Sequence, residues 1–277
     1  GLRSFGLKQV CPMCRVELPP GSEQLHEEAV RRYIDVKRRV DRGDASWGKL
    51  PKAQQREMNE VIRMWRMAAE QGHAEAQYCL GFMNSNGHGV EQDNGEAVRW
   101  YLMAAEKGVA DAQFNLGVMY EHGKGVKQDY REALRLYRMA AEKGVADAQF
   151  NLGILYEQGK GVKQDYSEAA RWYLKAVEQG NAGAQVNLGI LYEHGKGVKQ
   201  DYGEAVRWYL KAVEKGDAHA QNNLGTMYVQ GKGVKQDSGE AARWFLKAAE
   251  QGHAGAQVNL GILYEQGKGV KQDYSEA

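Results

Sequence analysis

The chain has 277 residues, and its 37 Lys and Arg residues against 36 Asp and Glu give a formal net charge of +1. A near-neutral total gives no strong field that would attract nucleic acid or an anionic membrane surface. The sequence contains no apolar run near the ~20 residues of a membrane span, and no recognisable signal peptide. We therefore expect neither a nucleic-acid partner nor a membrane span.

The chain begins with a Cys-x-x-Cys pair, Cys11 and Cys14, inside the run CPMCRVELPPG. Because Zn²⁺ prefers four nitrogen or sulfur ligands, such a pair is half of a tetrahedral site. The alternative is an incidental cysteine pair in a tail. Three cysteines in the whole chain are typical of a reducing compartment and not of a disulfide framework. We expect an intracellular, cytoplasmic protein.

Residues 22–72 predict two helices that differ from the rest of the chain. The first, over 22–42, starts at a candidate N-cap, Ser22, and its sequence resembles the second helix of the later repeats. The other, over 53–71, carries an apolar stripe at helical spacing, formed by Met58, Ile62, Trp65 and Ala69. Between them, where a first helix is expected, the sequence is degenerate. We interpret residues 22–72 as diverged repeats that cap an array.

From residue 73 to residue 277 one pattern recurs every 36 residues, as five full units and one truncated unit. Two of its markers are a glycine that opens each unit and a second glycine inside it. The opening glycines are Gly72, Gly108, Gly144, Gly180, Gly216 and Gly252. The inner ones are Gly81, Gly117, Gly153, Gly189, Gly225 and Gly261. A fixed period of this length indicates a repeat array whose core is built in slices.

Each unit predicts two antiparallel helices, which we name helix A and helix B. In one unit, helix A covers residues 110–122 and ends at Gly123, which is expected in the left-handed conformation. Asp129 and Glu132 then have the spacing of a capping box, and helix B follows over 130–143. One such hairpin cannot bury both of its faces, so neighbouring hairpins must stack.

The inner glycines fall inside helix A, where each costs about 0.5–1 kcal/mol relative to alanine. Because this cost recurs in every unit, we expect a close approach between helices that a Cβ atom would block. The sequence therefore predicts that a larger side chain at Gly153 disrupts the stack.

The repeat pattern A-x-A-Q-x-N-L-G-x-x-Y-x-x-G-x-G-V-x-x-D-Y-x-E-A-x-x-W-Y-x-x-A-A-x-x-G resembles the Sel-1-like repeat, a branch of the tetratricopeptide-like repeats. The resemblance implies an all-α fold, a right-handed α-solenoid of stacked helix-turn-helix units in which the A helices line a concave surface. Members of that family usually act as adaptors that hold other proteins together.

The N-terminal run Cys-Pro-x-Cys-Arg resembles the last two ligands of a RING-type zinc finger. The resemblance implies that residues 1–21 are the C-terminal remnant of such a finger with its linker. It also implies that Cys11 and Cys14 bind zinc together with ligands further upstream, and that a ubiquitin-conjugating enzyme is a partner. The repeat array itself requires no cofactor.

Two sets of helix A residues are candidates for partner binding. One is an asparagine ladder that either bonds the backbone of an extended peptide or satisfies groups of a neighbouring unit. It comprises Asn115, Asn151, Asn187, Asn223 and Asn259. The position just before each asparagine varies within an otherwise constant unit, and Tyr78, Phe114 and Phe150 form its aromatic members. They either contact a partner or occupy core positions that tolerate different sizes.

Other recurring groups do not point to phosphate binding, metal binding or an acidic partner. The Gly-Lys-Gly loops lack phosphate-loop spacing and leave a helix at its C-terminus, where phosphate is disfavoured. Their lysines, such as Lys124 and Lys127, are better interpreted as solvated side chains of an exposed loop than as a binding site for an acidic partner. The histidines of the array fall on different predicted faces without metal-ligand spacing; they are His73, His88, His122, His194, His219 and His253.

The leading hypothesis is a protein–protein interaction scaffold that binds partner proteins or peptides through the concave helix A face, without a small-molecule substrate. The alternative is the substrate-binding arm of a RING-type ubiquitin ligase. The array predicts no catalysis, so enzymatic activity depends on a complete zinc finger upstream.

Overall fold

The structure is a computed structural model, which describes residues 21–269. That part of the chain contains thirteen α-helices and, apart from one isolated bridge between Ser46 and Lys49, no β-structure. The chain divides into two compact units, residues 1–129 and 130–277. The predicted all-α class, built from repeating helix-turn-helix hairpins, is confirmed.

The described part of the first unit contains five helices. They are α1 (Ser22–Asp41), α2 (Lys52–Glu70), α3 (Ala74–Asn86), α4 (Asn94–Glu106) and α5 (Ala110–His122). In the described part of this unit, α3 and α4 are the A and B helices of one repeat, and α5 is the A helix of the next. Helix A of that repeat ends where the sequence predicts, at His122, with Gly123 in the left-handed conformation at φ 65°.

The opening hairpin differs from the prediction in two respects. Helix α1 starts one residue earlier than expected, because Gly21 and not Ser22 is its N-cap. No helix lies between α1 and α2, so α1 packs directly on α2 and contributes Leu25 to the cluster that contains Met58 and Trp65. All four residues of the predicted stripe in α2 are buried. Hydrophobic packing on α2 thus gives α1 the place that a helix A takes in a regular repeat.

The second unit contains the other eight described helices. They are α6 (Tyr130–Glu142), α7 (Ala146–Gln158), α8 (Tyr166–Glu178), α9 (Ala182–His194), α10 (Tyr202–Val213), α11 (Ala218–Gln230), α12 (Ser238–Glu250) and α13 (Ala254–Gln266). Helix α6, the helix B predicted over 130–143, ends at Glu142, one residue before the predicted end. The glycine loops carry the chain from each A helix to its B helix. A Cβ atom at Gly161, which has φ 73°, would lie 2.4 Å from the carbonyl oxygen of Tyr130, so that loop packs on the start of the preceding helix B.

The capping box predicted for Asp129 and Glu132 has its equivalent in Asp165 and Glu168 of the next repeat, where it forms only in half. Asp165 Oδ1 accepts a hydrogen bond from the Glu168 backbone N–H at 3.0 Å. The backbone N–H of Asp165, which a capping box would give to the glutamate, donates instead to the carbonyl of Tyr156 at 3.0 Å. Glu168 turns outward and pairs with Arg171 at 2.7 Å. Because the loop folds back on helix A, the carbonyl of Tyr156 lies within hydrogen-bond distance of the Asp165 N–H and accepts its hydrogen bond.

The helical glycines mark the close approach that their cost predicts. A Cβ atom at Gly153 would lie 2.5 Å from Cε1 of Tyr173, which is fully buried on helix B of the same repeat. Gly81 meets Tyr101 in the same way at 2.6 Å, and Gly225 meets Phe245 at 2.7 Å. The group that excludes a Cβ is therefore an aromatic ring and not helix backbone.

A buried glutamine near the start of helix A ties consecutive repeats together. Gln77 Nε2 donates to the carbonyl of Ala69 at 3.0 Å, and Gln149 Nε2 donates to the carbonyl of Ala141 at 3.1 Å. Each acceptor lies in the last turn of the preceding helix B, where carbonyls lack a partner within the helix. The invariant Gln of the repeat is thus a link between repeats, which the sequence pattern alone did not identify.

Candidate partner-binding face of helix A

The aromatic members of the variable position are half-buried on their helices. The ring of Tyr78 lies 5.9 Å, centroid to centroid, from that of Tyr101 on the adjoining helix B. Phe150 lies 6.0 Å from Tyr173 in the same arrangement. A Cβ atom at Gly183, on the next helix A, would lie 2.9 Å from Cζ of Phe150. One side of each ring therefore packs on its own repeat, and part of it stays open to solvent.

Exposure at this variable position differs along the chain. Phe114 on α5 is half-buried like Tyr78, while Val186 is 6% exposed and Val258 is 62% exposed. Tyr78 and Phe114 belong to the first unit and Phe150 to the second. The position therefore combines packing with partial exposure, and both interpretations of the sequence remain open.

The asparagine ladder bonds tyrosine hydroxyls of the preceding repeat. Asn115 Nδ2 lies 3.4 Å from the Tyr101 hydroxyl, and Asn187 Nδ2 donates to the Tyr173 hydroxyl at 3.1 Å. Asn223 bonds Tyr209 in the same manner. These contacts favour the interpretation that the asparagines satisfy a neighbouring repeat, although the acceptor is a side chain and not backbone. Asn151 is half-buried at the equivalent place on α7.

Two of these hydroxyls, those of Tyr173 and Tyr209, also bond a glutamate at the end of helix A. Tyr173 donates to Glu157 at 2.5 Å, and Tyr209 donates to Glu193 at 2.8 Å. Burial, followed by the hydrogen bond to the glutamate, raises the pKa of both tyrosines above the usual value of 10.0. The hydroxyl stays protonated, so it donates to the carboxylate while it accepts from the asparagine.

The last asparagine of the ladder bonds differently. Asn259 Nδ2 donates to Oδ1 of Asn222 at 3.0 Å. The ring that would supply a hydroxyl here is Phe245, which has none. The asparagine thus finds another side-chain acceptor, and the polar network of the helix A face changes at this repeat.

The predicted zinc ligands Cys11 and Cys14 lie outside the described residues, so zinc binding remains a prediction. Within residues 21–269 there is no group of three or more His, Cys, Asp or Glu side chains that would hold a metal ion. Cys79 on α3 is unpaired, and burial followed by the charge of Glu75 raises its pKa to about 12. Along the same stretch, no helix combines the length and the apolar character needed to cross a membrane.

The prediction that the histidines fall on different faces is wrong for one pair. His253 Nε2 lies 3.0 Å from His219 Nδ1, although 34 residues separate them. His253 also accepts, at Nδ1, from the backbone N–H of Ala256 and so caps α13. His219 is the second residue of its repeat and His253 is the last. These two positions lie side by side in the fold, although almost one full period separates them along the chain.

The 36-residue hairpins match the family model of the Sel1 repeat. The matched residues are 62–73, 74–109, 110–145, 146–181, 182–217, 218–253 and 254–277. The chain belongs to the Sel1 repeat family. The partial match at 62–73 lies in α2, within the segment that the sequence identified as diverged. No match was found among curated proteins.

Two solved structures support the Sel1 assignment of the fold. A protective antigen of uropathogenic Escherichia coli strains, which displays an SLR fold, is 37% identical with a TM-score of 0.77; the match covers 93% of this Sel1 chain and 54% of the antigen. A Sel1 repeat protein from Oxalobacter formigenes is 34% identical with a TM-score of 0.73, over 81% of this chain and 90% of that one. This Sel1 chain therefore spans about half the length of the E. coli protein.

Proposed function

We propose that the chain is an interaction scaffold that binds an extended segment of a partner protein across the helix A face. Proteins built from Sel1 repeats generally act as protein-interaction scaffolds. The observation that carries the choice of face is the variable position on helix A. It changes while its neighbours stay constant, and at Tyr78, Phe114 and Phe150 it holds partly exposed aromatic rings. Such rings are frequent anchors at protein interfaces.

The asparagine ladder supports the same face. In each contact described above for Asn115 and Asn187, the amide nitrogen is the donor, which leaves the amide oxygen able to accept from a partner's backbone N–H. Within the second unit, the stacked repeats thus present a row of half-buried polar groups at a fixed period. An extended peptide that crosses consecutive A helices would bond this row through its main chain.

The test uses valine, which the chain itself carries at this position in Val186. The double variant Phe114→Val and Phe150→Val keeps an apolar side chain but removes both rings. The matched control is Leu210→Ala on helix B, where the leucine is 41% exposed. Proteins captured by each variant are compared by quantitative mass spectrometry, and the thermal midpoint verifies folding.

We expect one or more captured proteins to be lost from the double variant and retained by the control. The affinity of each such protein for the purified chain is then measured by calorimetry. Equal capture by the two variants would show that the rings do not bind the partner.

The RING hypothesis remains a second proposal, supported by the Cys-Pro-x-Cys-Arg run alone. In it, Cys11 and Cys14 hold zinc and the array binds the substrate of a ubiquitin ligase. Zinc content of the natural protein, measured with and without Cys11→Ser, tests it, because loss of one metal equivalent is expected. The number of cysteines also supports a location in the reducing cytoplasm.

A further inference from the structure

One repeat, residues 218–253, departs from its predecessor at five positions that line a single cavity. The cavity has a volume of about 650 Å³ and lies between α11, the start of α12 and α13. Its size is within the range of about 300–1,000 Å³ that is usual for ligand sites. Four of the five are Thr226, Val229, Ser238 and Phe245, where the preceding repeat has Ile190, Glu193, Tyr202 and Tyr209. The fifth is Gln230, which stands in place of His194.

In the three repeats before it the residue at the place of Ser238 is a tyrosine, and in the two nearest repeats that tyrosine has two fixed neighbours. Lys232 Nζ lies 5.3 Å from the ring centroid of Tyr202, a cation–π distance. Gln200 Nε2 donates to the Tyr202 hydroxyl at 3.1 Å. One repeat earlier, a lysine at 5.3 Å and a glutamine at 3.0 Å surround Tyr166 in the same way. The scaffold therefore builds a receptor for a phenol ring at each of these places.

At Ser238 the receptor remains but the ring is replaced by a hydroxymethyl group. Gln236 and Lys268, the equivalents of the glutamine and lysine just described, both line the cavity. Gln236 Nε2 donates to the carbonyl of Val229 at 2.7 Å, which is the backbone bond that Gln200 makes to Glu193 at 2.8 Å. The amide is thus held in the orientation that serves a tyrosine hydroxyl in the neighbouring repeats.

The inner wall of the cavity is apolar as a consequence of two coupled replacements. Val229 and Phe245 stand where Glu193 and Tyr209 form a hydrogen bond in the preceding repeat. Ile262, which is 42% exposed, lies on the facing helix α13. Because the carboxylate and the hydroxyl are replaced together, a ring can enter without burying an unpaired charge. An anionic ligand would meet Lys268 but would lose its hydration against this wall.

We propose that this cavity binds a tyrosyl side chain of the partner segment, with its ring beneath Lys268 and its hydroxyl at Gln236. The proposal rests on the proposed function, because the cavity opens between consecutive A helices and includes Asn259 of the asparagine ladder. It specifies one anchor of the partner by its chemistry. A phenol satisfies the cation, the amide donor and the apolar wall at once, whereas phenylalanine leaves Gln236 without its hydroxyl.

The experiment uses the full chain with labelled methyl groups and an acetylated, amidated Gly-Tyr-Gly peptide. We expect the peptide to shift the methyl resonances of Val229 and Ile262 in a saturable manner, and Gly-Phe-Gly to bind more weakly. Ser238→Tyr restores the ring of the other repeats, so it should raise the thermal midpoint and abolish the peptide shifts. Ser238→Ala keeps the cavity open and should still bind.

Two results would overturn the inference. One is a Ser238→Tyr variant that binds the peptide as well as the parent chain, and the other is the absence of saturable shifts at Val229 and Ile262. The proposed function is separable from it. If partner capture depends on Phe114 and Phe150 but is unchanged in Ser238→Tyr, the scaffold function stands and the tyrosyl site does not. If a captured partner is lost from both variants, both proposals are supported, and the tyrosines of that partner are the next residues to substitute.

Discussion

The substitution Gly153→Ala provides the sharpest test of how a repeat is held together. The added Cβ atom would lie 2.5 Å from Cε1 and 2.7 Å from Cδ1 of Tyr173. Carbon atoms pack best at about 3.5 Å or more, so the ring or the helix must shift by roughly 1 Å. The ring has little freedom, since Tyr173 is fully buried and its hydroxyl bonds Glu157 and Asn187.

The net effect of Gly153→Ala follows from two opposing contributions. Overpacking a filled core costs about 1–3 kcal/mol. Replacing glycine by alanine inside a helix stabilises it by about 0.5–1 kcal/mol. A 2.5 Å approach to a fully buried ring puts the overpacking cost in the upper part of its range, at about 2–3 kcal/mol. We therefore expect a net loss of about 1–2 kcal/mol of unfolding free energy. It should be measured by urea denaturation, with hydrogen exchange used to locate the loss in α7, α8 and the adjoining α9.

A matched control is Gly203→Ala, near the start of α10. The preceding repeat carries Ser167 at that place, so a Cβ is tolerated and stability should stay equal or rise. In a Tyr173→Leu background, which removes the ring, the cost of Gly153→Ala should largely disappear. The reasoning is refuted if Gly153→Ala is neutral in the parent chain, or if it costs as much with leucine at 173 as with tyrosine.

Three further predictions concern polar groups. Burial, and then the neighbouring His73, lowers the pKa of His26 below 6.5, so the unfolded chain binds more protons near that pH. Acidification through pH 6.5 should therefore destabilise the first unit. The urea midpoint should depend less on pH in His26→Gln than in the parent chain, and a variant of the exposed His194 should keep the parent's pH dependence. The thiol of Cys79, with its pKa raised to about 12, should resist iodoacetamide until the first unit unfolds, which peptide mapping across a urea series would reveal; rapid native labelling would contradict this. Tyr209→Phe should cost about 1–3 kcal/mol because it leaves the Glu193 carboxylate without its donor, and adding Glu193→Val should recover part of that loss in a double-mutant cycle; strictly additive costs would argue against the coupling.

Local sequence determined the architecture of this protein to a large extent. The bounds of helix A in the repeat 110–145 follow from its glycine and from the stripe of Ala112, Leu116 and Tyr120 at helical spacing. The structure reproduces them as Ala110–His122. A left-handed C-cap needs glycine, and a 3.6-residue stripe needs a helix, so neither feature depends on distant residues. The repeat period itself required the hairpins to stack.

Contacts between positions far apart in the chain were decided only by the tertiary structure. The asparagine–tyrosine bonds join residues 14 apart, and the His219–His253 contact joins residues 34 apart. The capping box stayed half-formed because Tyr156, nine residues earlier, accepts the N–H of Asp165. Each pairing depends on how the chain folds back and how one hairpin packs on the next, because that packing determines which groups come within hydrogen-bond distance.

The cavity beside Ser238 shows the same division most clearly. The sequence displays the departures of the repeat 218–253 from its predecessor, but those that line the cavity are spread over 20 positions and resemble ordinary drift. Helix packing brings Thr226, Val229, Ser238 and Phe245 to one wall and sets Lys268 of the next repeat beside them. Sequence sets which groups each repeat offers; stacking, which buries the apolar faces, sets which of those groups meet.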